Sequence, residues 1–176
     1  MANAPAVVAE SHSKTLPNSA LEYRVNQHGS FTQSKKVAGL SRSLESNGHF
    51  DITEQRVLWT TTSPLYSEVL IADNSVQERY SADGEFQVTA SGENVTTVSR
   101  ILALIIRSDT EGLKRYFDIE SATTSYKLTP RSDALKALFN EVLIQQSTTT
   151  VNVKIYEASG TVTDIQLAPT PVSESG

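Results

Sequence analysis

Hydrophobic and polar positions divide the chain into two kinds of stretch. From Val95 to Ile106 the apolar residues recur at steps of three and four. Val95, Val98, Ile101, Leu102 and Ile105 therefore share one face of a helix. Leu104 and Ile106 widen that face beyond what a surface helix needs. The segment spans only about 18 Å at 1.5 Å per residue, too short to cross a membrane. It must bury its face within the protein or against an apolar ligand.

Most of the remaining chain alternates with period two or runs in β-branched and aromatic residues. Phe31, Gln33 and Lys35 alternate with Thr32, Ser34 and Lys36. Strand-like runs follow at 40–52 and 56–62, with Gln55 at a turn between them and Ser63-Pro64 ending the second. Further strands are expected at 65–72 and 76–80. Ala82-Asp83-Gly84 turns a hairpin into Phe86-Gln87-Val88. Beyond the helix, 113–119 and 125–128 read as a strand pair, with a helical turn at 132–138. The runs 139–146, 151–157 and 161–167 form a closing meander around the turn Ala158-Ser159-Gly160.

Nearer the start, Ser19-Ala20-Leu21-Glu22 fits a capping box. It predicts a short helix through about Gln27, stopped at Gly29. Residues 1–18 read as a loose lead-in, 19–168 as one domain and 169–176 as a loose tail. The expected fold is mainly β with α. An antiparallel sheet of about nine to eleven strands curls toward an incomplete barrel, and the apolar helix lies in its concave face.

Composition narrows the function. The chain has 176 residues, is 38% hydrophobic and carries a net charge of −5, so it has room for a core. The acidic balance and the lack of basic runs argue against nucleic acid and against an anionic membrane surface as partners. No intact signal peptide precedes the domain, although a mature exported chain behind an added Met would read the same. There are no cysteines, which removes disulfides, thiol catalysis and cysteine metal sites. His12, His28 and His49 have no metal-ligand spacing. No G-x-S-x-G elbow or phosphate loop is present. Asp118 and Glu120 share a strand face, but a solvated pair opposite Phe117 and Ile119 is the simpler reading. No catalytic residue, metal or cofactor is expected.

Along the chain stand Phe31-x-Gln33 with Lys35, Leu44-x-Ser46-x-Gly48-x-Phe50, Leu58-Trp59 with Pro64, the apolar helix, Tyr126-x-Leu128-x-Pro130 and the hairpin at Gly160–Ile165. This ordered set resembles the LolA family of periplasmic carriers of outer-membrane lipoproteins. The resemblance covers about residues 19–167. It implies a half-open antiparallel barrel, helices forming a lid over an apolar cavity, and a periplasmic location. It further implies uptake of acylated lipid or lipoprotein cargo from an inner-membrane release complex and delivery to an outer-membrane acceptor, with no spanning segment. On this basis Phe31, Leu44, Phe50, Trp59, Val98, Ile101, Leu102 and Ile105 would surround the cavity or belong to its lid. Strand parity leaves open which strand residues face inward.

The sequence departs from the family where Arg-Pro usually precedes the tryptophan. Here it reads Ile52-Thr53-Glu54-Gln55-Arg56, and Arg56 is the candidate to fasten the lid instead. The chain also ends soon after Leu167, with little of the C-terminal segment some carriers have. Both departures suit the divergent relatives found beside exporter genes for acylated pigments or glycolipids. Two other readings remain at this stage. One is a solid-core interaction domain in which the helix simply fills the sheet. The other is a small hydrolase with an unrecognised site.

Overall fold

The computed structural model describes residues 27–53, 55–72, 75–91, 100–101, 103–105, 107 and 109–170. Among the described residues eleven strands form one antiparallel sheet. In chain order they are β1 (Gln27–Lys36), β2 (Leu44–Ile52), β3 (Arg56–Ser63), β4 (Ser67–Ala72), β5 (Ser75–Arg79) and β6 (Gln87–Ser91). After the helical region come β7 (Phe117–Ser121), β8 (Ser125–Pro130), β9 (Phe139–Gln146), β10 (Val151–Glu157) and β11 (Val162–Pro169). Their spatial order is β6-β5-β4-β3-β2-β1-β11-β10-β9-β8-β7. The first and last strands therefore pair at the centre of the sheet, and the mid-chain strands β6 and β7 form its two edges.

Register decides which residues share a face, because directly opposed residues point the same way. Phe31 lies opposite Gly48 on β2 and Leu167 on β11. Phe50 faces Trp59, and Trp59 faces Val69. Val153 joins Ile144 on β9 to Ile165 on β11. These residues make the apolar inner face. The other face carries Thr32, Ser34, Asp164, Gln166, Asn152 and Lys154 at the alternate positions, where Lys154 and Asp164 pair at 3.3 Å.

The described helical residues lie between β6 and β7 and in one turn before β9. Residues 100–101 and 103–105 are helical and are called α1 here. The Arg107 N–H donates to the Ala103 carbonyl at 3.0 Å, and the Asp109 N–H to the Leu104 carbonyl at 2.9 Å. The turn α2 (Thr110–Leu113) follows, capped by the Asp109 carboxylate, which accepts from the Gly112 N–H at 2.9 Å. Ser132 caps α3 (Asp133–Lys136) in the same way, accepting from the Leu135 N–H at 3.3 Å. Ile101, Ala103, Ile105 and Leu113 belong to the same buried cluster as Phe31, Phe50, Val142, Val153 and Leu167.

Several expectations are corrected. Gln27 to Gly29 is strand rather than a helix end: Gly29 pairs with Phe50 and Pro169, so His28 stands exposed on a strand. A Cβ at Gly29 would lie 2.3 Å from the Ala168 carbonyl oxygen, so the close approach of β11 explains the glycine. Residues 37–43 form a loop, with Gly39 at φ 86°, and β2 starts only at Leu44. Leu113 ends α2 rather than opening a strand, because the Asp109 cap starts a turn there. Pro169 belongs to β11, and the Thr170 N–H still bonds the His28 carbonyl at 2.8 Å. The capping box at Ser19 lies outside the described residues, as do the start of the helix expected from Val95 and residues 171–176.

A buried polar cluster ties β3, β4 and β5 together on the outer face. Glu68 is only 6% exposed. Its carboxylate accepts from the Arg79 guanidinium and, at 3.2 Å, from the Thr60 hydroxyl. Arg79 also lies 4.6 Å above the Phe86 ring and donates to the Gly84 carbonyl at 3.3 Å. The turn at 81–86 thereby covers this corner of the sheet.

Candidate functional site: an apolar cavity on the inner face

The inner face of the sheet holds a half-open cavity of about 320 Å³, within the range of small-molecule sites, about 300–1,000 Å³. Fourteen residues line it and ten are apolar, so its chemistry is that of a hydrocarbon site. Val57 and Trp59 come from β3, Val69 and Ile71 from β4, and Phe139 from β9. Val153 and Ile155 come from β10, and Ile165 and Leu167 from β11. Ile105 from α1 completes the apolar wall.

The lining also shows how far the sheet curls. β4 and β9 are separated by six strand steps, which would span about 29 Å if flat. A cavity of this size can touch both only if the sheet closes round it. The sheet stays open between its edge strands β6 and β7.

The four polar lining residues are Gln33, Lys35, Glu157 and Thr163. Three of them gather at one end. The Lys35 ammonium lies 3.6 Å from the Glu157 carboxylate, and the Thr163 hydroxyl donates to Glu157 at 3.4 Å. Lys35 and Thr163 are cross-strand partners. The cavity is thus a hydrocarbon chamber with a charged end.

Two of the residues singled out from sequence line it: Trp59 and Ile105. Phe31 and Phe50 lie behind Trp59, 2% and 3% exposed. The Phe31 ring stacks on Trp59 with centroids 3.8 Å apart, and Phe50 stands at 6.3 Å. Ile101 is fully buried in the core. Leu44 stands elsewhere: it is 55% exposed at the start of β2 and does not line the cavity. The side chains of Val98 and Leu102 lie outside the described residues. Sequence reading missed the wall made by Val57, Val69, Ile71, Val153, Ile155, Ile165 and Leu167. Its signal was the alternation at Val151, Val153 and Ile155.

Arg56 pairs with Asp51 at 3.7 Å on the surface, with half its side chain exposed. The Arg107 guanidinium, just beyond α1, donates to the Thr53 carbonyl in the β2–β3 turn. Asp118 and Glu120 are exposed and pair with Arg131 at 2.7 Å and Lys127 at 3.7 Å. Among the described residues no three His, Cys, Asp or Glu side chains could hold a metal together, and no helix is long and apolar enough to cross a membrane. A hollow of about 540 Å³ on the outer face is lined mainly by polar side chains such as Gln145, Asn152 and Gln166, which is unsuited to hydrocarbon.

The profile of the family described as "Outer membrane lipoprotein carrier protein LolA" matches residues 26–172. No curated protein matches the sequence. Among solved structures, a LolA superfamily protein from Nitrosomonas europaea aligns over 87% of this chain and 89% of its own, at 8% identity and a TM-score of 0.40.

Proposed function

The chain belongs to the outer membrane lipoprotein carrier protein LolA family, and from that premise we propose that it carries the acyl chains of a lipidated cargo through the periplasm without a covalent step. The observation that carries this reading is the cavity, with its ten apolar lining residues and one charged end. Acyl chains meet water at a cost of roughly 0.8 kcal/mol per CH₂. The chamber between Trp59, Ile105 and Ile165 would shield them, while the polar part of the cargo sits toward Lys35 and Glu157.

In this reading α1 is a lid over the concave face, with Ile101 and Ile105 as its inner side. Trp59, backed by Phe31 and Phe50, is the facing wall. Loading requires that lid-on-sheet and cargo-on-sheet free energies be nearly balanced, since a ligand shifts a two-state equilibrium only by its differential affinity. An inner-membrane release complex would supply the cargo and an outer-membrane acceptor would take it. No catalytic residue or cofactor is required.

The test is titration with an environment-sensitive apolar dye, read through Trp59 emission and followed by competition with a long-chain acyl compound. The reading expects saturable binding at one site, displaced by the acyl compound. Ile165→Glu, which puts a carboxylate on a half-buried wall position, should abolish it in a folded protein. Undiminished binding in that variant, or none in the parent, overturns the reading.

A further inference from the structure

The six large hydrophobic side chains exposed among the described residues gather at one end of the sheet. Leu40 lies in the β1–β2 loop and Leu44 opens β2. Leu65, 79% exposed, lies in the β3–β4 loop. Tyr80 follows β5, Val88 is the second residue of β6, and Leu138 precedes β9. The register places all of these at the same rim, because β1, β3 and β5 end where β2, β4 and β6 begin. Leu138 joins them through the β9–β10–β11–β1 ladder. At the opposite rim the described turns are built mostly of Ser and Thr, at 122–124 and 147–150.

Single exposed apolar residues need no explanation, but their confinement to one rim does. Two further features bear on it. Residues 36–44 include the exposed cations Lys36 and Arg42 and no carboxylate, while the exposed carboxylates at this rim, Glu45, Asp83 and Glu85, stand after Leu44 and in the β5–β6 turn, in a chain of net charge −5. The charged end of the cavity lies at this same rim, since Lys35 is the penultimate residue of β1 and Glu157 the last of β10.

We propose that this rim is a membrane-contact surface. The loops bearing Leu40 and Leu65 insert their apolar side chains into the bilayer interface, and Lys36 and Arg42 meet lipid phosphates. Side chains on separate loop tips with cations beside them suit a deformable bilayer surface better than the flat, continuous face of a protein partner. Tyr80 adds an aromatic body with a polar tip. Contact through this rim sets the charged end of the cavity against the lipid. The inference goes beyond cargo carriage and does not depend on it.

The experiment is flotation of the full chain with phosphatidylcholine vesicles and with vesicles containing phosphatidylglycerol. Association is expected with both, stronger on the anionic vesicles and weakened there by salt. The double variant L40S/L65S should lower association at least about ten-fold on both. Arg42→Gln should lower it only on the anionic vesicles. These positions are exposed, so unchanged melting curves confirm folding, and the dye titration run alongside reports the cavity separately. Absence of association in the parent overturns the proposal, as does association unchanged in L40S/L65S. Concentration-dependent dimers dissolved by L40S/L65S, without vesicle binding, would assign the rim to a second copy of the chain and overturn it too.

Discussion

Phe31 and Trp59 stack with ring centroids 3.8 Å apart and 27° between their planes, although their strands are not neighbours. β2 runs between them, and the residue it places opposite Phe31 is Gly48. The missing side chain leaves room for the two rings to close over β2. Gly48 also lets β3 approach closely at the point where the β2–β3 register shifts. A Cβ there would lie 1.8 Å from the Thr60 carbonyl oxygen, and that oxygen belongs to backbone that cannot simply rotate away. Gly48→Ala should therefore cost about 1–3 kcal/mol, as overpacking does. Denaturant unfolding would show a lower midpoint; an unchanged midpoint would mean that β3 shifts freely.

The two stacked rings should respond differently to truncation. Phe31 is buried in the core, so Phe31→Ala should cost about 3–5 kcal/mol of stability. Trp59 is half-buried and lines the cavity, so Trp59→Ala should cost less stability and more ligand affinity. Calorimetric titration with an acyl compound, beside chemical unfolding, separates the two effects. Equal losses in both variants would deny Trp59 a role in the wall.

Arg107 supplies the side-chain bond between the end of α1 and the β2–β3 turn at Thr53. Hydrogen bonds to charged groups contribute about 1.5–3 kcal/mol. If α1 competes with cargo for the inner face, Arg107→Gln should loosen it and tighten dye binding about ten-fold, equivalent to about 1.4 kcal/mol. Hydrogen exchange should accelerate at residues 103–105 at the same time. Unchanged affinity with faster exchange would mean that the segment moves without gating the cavity.

Acid should weaken the corner held by Glu68. Burial alone would raise this carboxyl, but hydrogen bonds from Arg79 and Tyr66 and the Arg79 charge outweigh burial and hold it below its ordinary value. A lowered folded value means that the stabilisation is complete above the unfolded carboxylate value, about 4.3. It is lost as pH falls through the folded value. Glu68→Gln should cost about 1–3 kcal/mol at neutral pH, and its deficit should shrink as pH drops below about 4. Melting temperatures of both proteins across that range would show the curves converging; parallel curves would remove Glu68 from the acid response.

Local patterning makes the strands legible and leaves their arrangement hidden. Alternation at Val151, Val153 and Ile155 announces a half-buried strand, and Gly160 at φ 85° supplies the turn after it. The position of β11 between β10 and β1 rests on pairing across most of the chain, which no short window contains. That pairing brings Ile165 and Leu167 into the same chamber as Trp59. Leu44 illustrates a related limit. Its cross-strand partner is the cavity residue Lys35, so its parity reads as inward, yet at the strand's end it stands exposed. Period two reports the face and says nothing of depth. Gln27 and Gly29, expected as the end and stop of a helix, lie in β1 because pairing with β2 and β11 overrides local propensity there.

The meeting of β1 with β11 gives β11 an unusual weight. In most open sheets the last strand to be synthesised can be an edge, and its loss trims the fold. Here β11 joins the β1–β6 half to the β7–β10 half. The central ladder cannot form until synthesis has passed Pro169, and it must close a very long loop, which slows folding. Until then two half-sheets are held together by the connecting chain alone. A truncation before Val162 would leave the core divided along its middle, with two raw strand edges where the centre of the sheet should be.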